Sequence, residues 1–105
     1  MNKILNFTPH ALNVVGLDGN VVTLPSVGVA RVATSTVSVN PINGFGVVAT
    51  AFADVTGLPD PVSGTYYVVS RLVLSACPGR LDLLCPGELI RDVDGNVVGC
   101  KGFSL

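Results

Sequence analysis

The chain has 105 residues, of which 49% are hydrophobic and only 12% charged, with a net charge of −1, a mean hydropathy of +0.62 and a mass of 10.8 kDa. That size holds one domain, spanning residues 1–105, around a single core. The near-neutral charge argues against non-specific nucleic-acid binding, which needs several clustered cations. No apolar run approaches the roughly 20 residues of a membrane-spanning helix.

The charge content is well below the roughly 25% typical of soluble domains. A monomer would therefore have difficulty covering its surface with charge, and the composition predicts a homo-oligomer. The opening residues Met1 to His10 have one cation and an apolar run broken at Asn6 and Pro9, which is not the pattern of a signal peptide. A soluble, intracellular protein without membrane association is expected. Cys77, Cys85 and Cys100 are an odd number and are read as reduced thiols.

In chain order, β-branched residues punctuated by 12 Gly and 7 Pro predict strands near Lys3–Phe7, Ala11–Gly16, Asn20–Leu24, Val29–Thr34, Phe45–Phe52, Thr65–Val69, Glu88–Asp92 and Val97–Lys101. Leu17-Asp18-Gly19-Asn20-Val21-Val22 recurs almost unchanged as Val93-Asp94-Gly95-Asn96-Val97-Val98. Each copy is expected to be a hairpin with a two-residue type I′ turn at Asp-Gly. Asp92–Asn96 also resembles the start of a calcium loop, but Lys101 stands where the closing glutamate belongs. Gly44-Phe45-Gly46 reads as a strand bulge, and Asp54–Gly64 as a loop. Between Ser70 and Cys77, a serine cap, Leu72 and Leu74, and the stop at Pro78-Gly79 predict one short helix. The fold class is β-rich α+β, a small twisted antiparallel sheet or barrel with one short helix.

Catalytic chemistry finds little to build on. His10 is the single histidine, no nucleophile elbow surrounds any serine, and no cysteine carries a protease signature, so no enzyme is expected. The bland reading of His10 is a turn residue whose ring bonds nearby backbone. Three cysteines and one histidine formally make a zinc set, but their spacings lack the close pairs such sites draw on. No metal or cofactor is expected, and no phosphate-cradling glycine motif occurs.

The cations are more informative. Arg71, Arg80, Arg91 and Lys101 lie in the last third of the chain. Arg71 opens the predicted helix, where an anion could be held. Arg80 and Asp82 share a turn and could contact a phosphate and a ribose hydroxyl, or simply pair with each other. Arg31, in the strand with Val29 and Ala33, is either a solvated arginine or one turned toward a ligand. Thr8 and His10 complete the candidate set.

Several segments carry a resemblance: Asn6-Phe7-Thr8-Pro9-His10, Pro25 to Val32, Val55-Thr56-Gly57-Leu58-Pro59, Tyr67-Val68-Val69-Ser70, Pro78-Gly79-Arg80-Leu81-Asp82 and Val98-Gly99-Cys100. In this order they resemble a family of small uncharacterised proteins encoded by bacteriophages and prophages, with an Asn-(Leu/Phe)-Thr-Pro-His motif near the start. Cys77 falls outside that pattern. The resemblance implies action in the host bacterial cytoplasm and supplies no catalytic residues. By analogy with other small phage proteins, the expected function is an anti-defence sponge that sequesters a small anionic, nucleotide-derived immune signal without catalysis. The alternative is a phage structural or assembly component, or an inhibitor of a host protein.

Overall fold

The computed structural model describes residues 2–105. Eight strands and one helix follow in order: β1 (Lys3–Asn6), β2 (Leu12–Val15), β3 (Val21–Leu24), β4 (Arg31–Ile42), β5 (Phe45–Thr56), β6 (Thr65–Val68), α1 (Arg71–Ala76), β7 (Leu83–Arg91) and β8 (Val97–Ser104). Six strands form one sheet in the order β1-β6-β7-β8-β2-β3, and β4 and β5 form a separate two-stranded ribbon. A parallel bridge between Asn6 and Ser26 draws the β1 edge to the chain just beyond β3. The six-stranded sheet is thereby curled into a nearly closed barrel. The β-rich class with one short helix is as the sequence implies, although the sheet is mixed. Strands β1 and β6, β6 and β7, and β2 and β8 run parallel, whereas the local hairpins β2–β3 and β7–β8 are antiparallel.

The two Asp-Gly-Asn segments do make hairpins, with a different turn from the one expected. In each copy only the glycine, Gly19 or Gly95, has positive φ, at 83°. Gly19 N–H donates to the Gly16 carbonyl and Gly95 N–H to the Asp92 carbonyl, both at 3.0 Å. This is the three-residue loop with glycine in the left-handed position rather than a type I′ turn. Asp92 Oδ1 accepts from the N–H groups of Asp94 and Asn96, so the carboxylate of the calcium-like segment organises its own turn. A two-residue turn with both residues at positive φ occurs instead at Asn43 (51°) and Gly44 (79°), between β4 and β5. Gly44 is therefore a turn residue, not part of a strand bulge. The irregularity in this region falls between Val39 and Ile42, where Pro41, lacking an N–H, can leave the ladder without losing a donor.

The ribbon strands are longer than the sequence suggests: β4 continues to Ile42 and β5 to Thr56, so Asp54 is in a strand and the loop begins at Gly57. Strand β7 begins at Leu83 rather than Glu88. It pairs with β6 only through Leu83 and Leu84, so Pro86 lies beyond the end of that ladder.

The core gathers where barrel, helix and ribbon base meet. Ala30, Tyr67, Val69, Val73 and Leu83 form the buried cluster, flanked by Leu5, Phe7, Val32, Val55, Leu58, Leu74 and Cys77. The Phe7 and Tyr67 rings meet edge to face at 5.4 Å. Ser70 caps α1, its hydroxyl accepting from Val73 N–H at 3.3 Å, and Val73 drives the helix into the cluster. Cys85 and Cys100 are buried free thiols acting as small apolar residues. Away from its base, the ribbon projects from this body, and the molecule measures 53 × 39 × 20 Å.

Candidate ligand-binding site

The Asn6–His10 segment is held by a buried polar network centred on Asn6, which is 1% exposed. Asn6 Oδ1 accepts from Thr8 N–H at 2.9 Å and from the Thr8 hydroxyl at 2.6 Å. Asn6 Nδ2 donates to the carbonyls of His10 and Leu24. Ser26 closes the neighbouring turn by donating to the Thr8 carbonyl at 2.7 Å. Every polar atom of the Asn6 side chain is thus paired, and the network pins the barrel seam. Thr8, a candidate ligand contact, has its hydroxyl within hydrogen-bond distance of both Asn6 Oδ1 and the His10 carbonyl, so its one hydrogen is engaged inside the network. Asn6 is the residue that sequence reasoning missed. The available signal was an Asn two residues before a Thr in a proline-containing turn, the pattern of a side chain that bonds backbone two residues on.

Arg80 and Asp82 pair with each other. Arg80 Nε donates to Asp82 Oδ1 and Arg80 NH2 to Oδ2, each at 2.8 Å, while NH2 also donates to the Pro59 carbonyl at 3.0 Å. The hydrogen bonds from Arg80 hold the Asp82 carboxyl below its ordinary range, outweighing the opposing effect of desolvation. The guanidinium lies 6.0 Å from the centre of the Tyr67 ring, and the Tyr67 hydroxyl donates to the Asp60 carbonyl at 3.3 Å. These contacts strap the 57–64 loop to the barrel. Beside the pair is an open cavity of about 320 Å³, lined in part by Ser63, Thr65 and Tyr66.

Arg71 reaches in another direction, donating to the Ser104 hydroxyl and the Leu105 carbonyl, both at 3.2 Å. It does not line the Arg80 cavity, so the two arginines do not converge on one pocket. His10 borders a larger, mainly apolar cavity of about 480 Å³ with Asn13, Pro86, Leu89 and Cys100. Its carbonyl, rather than its ring, carries the hydrogen bonds of the turn.

Arg31 stands at the root of β4, paired in register with Thr56. It borders a cavity of about 210 Å³ between the Phe7–Pro9 turn, the ribbon base and the start of α1, with Ser70 on the same rim. Arg71, Arg80 and Arg91 all donate to protein acceptors. Among the described residues, Arg31 is the arginine whose side chain makes no hydrogen bond or ion pair. An unpaired guanidinium on a concave rim presents its full fork of donors to an incoming oxyanion.

The fold and cavities define a β-rich barrel-like domain with a projecting ribbon and several shallow clefts. No protein-family model, curated protein or solved structure matches the chain.

Proposed function

We propose that this protein is a non-catalytic binding protein, encoded by a phage and acting in the host bacterial cytoplasm as a homo-oligomer. In this reading it sequesters a small anionic, nucleotide-derived immune signal. The observation that carries the reading is Arg31, an unpaired arginine on the rim of a cleft that also exposes Ser70. That cleft, at about 210 Å³, is smaller than the roughly 300–1,000 Å³ usual for ligand pockets. A site completed by a second copy would satisfy both the ligand's size and the protein's shortage of surface charge. Arg80, whose NH1 makes no hydrogen bond among the described residues, offers a phosphate contact at its own cleft, with Asp82 orienting the guanidinium.

With no Trp and two Tyr, the protein absorbs weakly at 280 nm, so a bound nucleotide would dominate its ultraviolet spectrum. The test incubates purified protein with a panel of cyclic oligonucleotides and adenine-nucleotide signals, then measures the 260 nm excess after desalting and the thermal shift. Binding by wild type, at least a tenfold loss in Arg31→Ala, and recovery of chemically intact ligand are expected. Absence of binding across the panel would remove the sponge reading.

The second reading is a structural, assembly or host-protein-binding role. The long exposed ribbon favours it, because such an arm can meet another protein as readily as a ligand-binding oligomer.

A further inference from the structure

The molecule leaves more surface uncovered than a chain of this size normally does. Its accessible surface is 7173 Å², against about 5,500 Å² expected for a compact monomer of this mass. The radius of gyration is 16.7 Å, against about 13 Å for a compact chain of this length. The excess, roughly 1,600 Å², is about twice the surface that each partner contributes to a standard stable interface.

Strand register assigns the ribbon two unlike faces. Directly opposed residues share a face, so the pairs Val37–Ala49, Val39–Val47 and Ser35–Ala51 line one side. The pairs Thr34–Phe52, Thr36–Thr50 and Ser38–Val48 line the other. Beyond Ser35, the first face is a shallow surface of valine and alanine methyls; Val37 is 48% and Val39 44% exposed. The second carries hydroxyls among its apolar groups. From Val32 to Ala53 there is no Asp, Glu, Lys or Arg, so the ribbon lacks the charges by which exposed strands normally avoid pairing with other chains.

We infer that the Val37/Val39/Val47/Ala49 face of the ribbon is a self-association surface that docks on the same face of a second copy of this chain. A charge-free face meets its own copy without like-charge repulsion, and low methyl ridges of similar height interdigitate as facing sheets do. The contact is isologous, with each chain supplying the same residues, which is the commonest way for a homodimer to close. The inference deepens the homo-oligomer part of the reading above and requires no ligand.

The test is the mass in solution, by size-exclusion chromatography with light scattering, of ligand-free protein at tens of micromolar. Wild type is expected at no less than twice 10.8 kDa. The double variant Val37→Lys/Val39→Lys, and separately Ala49→Glu, should fall to the monomer mass while retaining the wild-type far-ultraviolet circular dichroism. Thr36→Lys, on the opposite face, should keep the wild-type mass. A monomeric wild type, folded Val37→Lys/Val39→Lys or Ala49→Glu protein that keeps the oligomer mass, or a monomeric Thr36→Lys would overturn the assignment. Ligand binding is measured separately, so its failure leaves this result untouched.

Discussion

Arg80 and Asp82, two residues apart, close a two-pronged ion pair at 2.8 Å and 2.8 Å whose spare donor holds the Pro59 carbonyl. This side-chain clamp, rather than a ladder of backbone bonds, fixes one side of the loop that follows the ribbon. It gives the pair a mechanical role whether or not a ligand also uses it.

The clamp should be visible in the pH dependence of stability. Because Asp82 sits below its ordinary value of 3.8 when folded, its contribution is fully present above that value and is lost as pH falls through the lower, folded-state value. Asp82→Asn should cost about 1 kcal/mol at neutral pH. Urea midpoints of wild type and variant should converge as the pH is taken from 6 toward 2; a difference that persists unchanged at the acid end would contradict this account.

Removing the Asn6 side chain should be far more damaging. Asn6→Ala removes the acceptor of Thr8 N–H, the Asn6 donor to the Leu24 carbonyl, and one of the two donors to the His10 carbonyl, which keeps the Thr8 hydroxyl, and a cost of about 3 kcal/mol is expected from the loss of this buried network. Thr8→Val removes one hydroxyl while Asn6 Oδ1 still accepts from the backbone, so it should cost about 1–2 kcal/mol. Thermal or urea unfolding orders the two variants, and an Asn6→Ala protein as stable as Thr8→Val would refute the keystone role.

Two glycines with similar backbone angles should respond differently to alanine. Gly57 has φ +81°, and an added Cβ would stand 2.2 Å from the Val29 carbonyl oxygen. Gly44, at φ +79°, has nothing within 4 Å of that position. Gly44→Ala should therefore cost about 1 kcal/mol, the backbone penalty alone, and Gly57→Ala at least twice as much because strand and loop must move apart. Equal losses in chemical denaturation would show that the close approach is relieved cheaply.

The three thiols should separate by accessibility. Cys77 is partly exposed while Cys85 and Cys100 are buried, so titration with a thiol reagent should label Cys77 in the native protein. The other two should react only at the rate of unfolding. Rapid native labelling of all three would mean that the barrel opens readily.

Local signals in the sequence identify much of this architecture. The repeated Asp-Gly-Asn segments mark two hairpins, and Ser70 with Pro78-Gly79 brackets the helix. The parallel pairings are not legible in the same way. Val14 meets Cys100 and Asn6 meets Val68, and partners so far apart leave no turn between them to read. The full length of the ribbon is hard to read because Thr34 to Val39 mixes hydroxyls with valines, although Thr and Val both favour strands. Its strongest marker, Ile42-Asn43-Gly44-Phe45, lies beside Gly46, and the two glycines together imitate a bulge. In the candidate site, sequence proximity showed that Arg80 and Asp82 could pair. That Arg31, among the arginines of the described residues, keeps an unpaired side chain depends on where the others find acceptors, which tertiary structure decides.

The ribbon's connectivity also affects the order in which the molecule can be made. Strands β4 and β5 are adjacent in the chain and joined by a two-residue turn, so their contacts need only a short loop closure and can form within microseconds. The barrel must wait for β8, because β2 takes its parallel partner from Val97–Ser104. On the ribosome, an uncharged apolar hairpin would therefore stand complete before the body that anchors it. If the ribbon pairs with a second copy as inferred above, neighbouring nascent chains on one messenger would meet through it during translation.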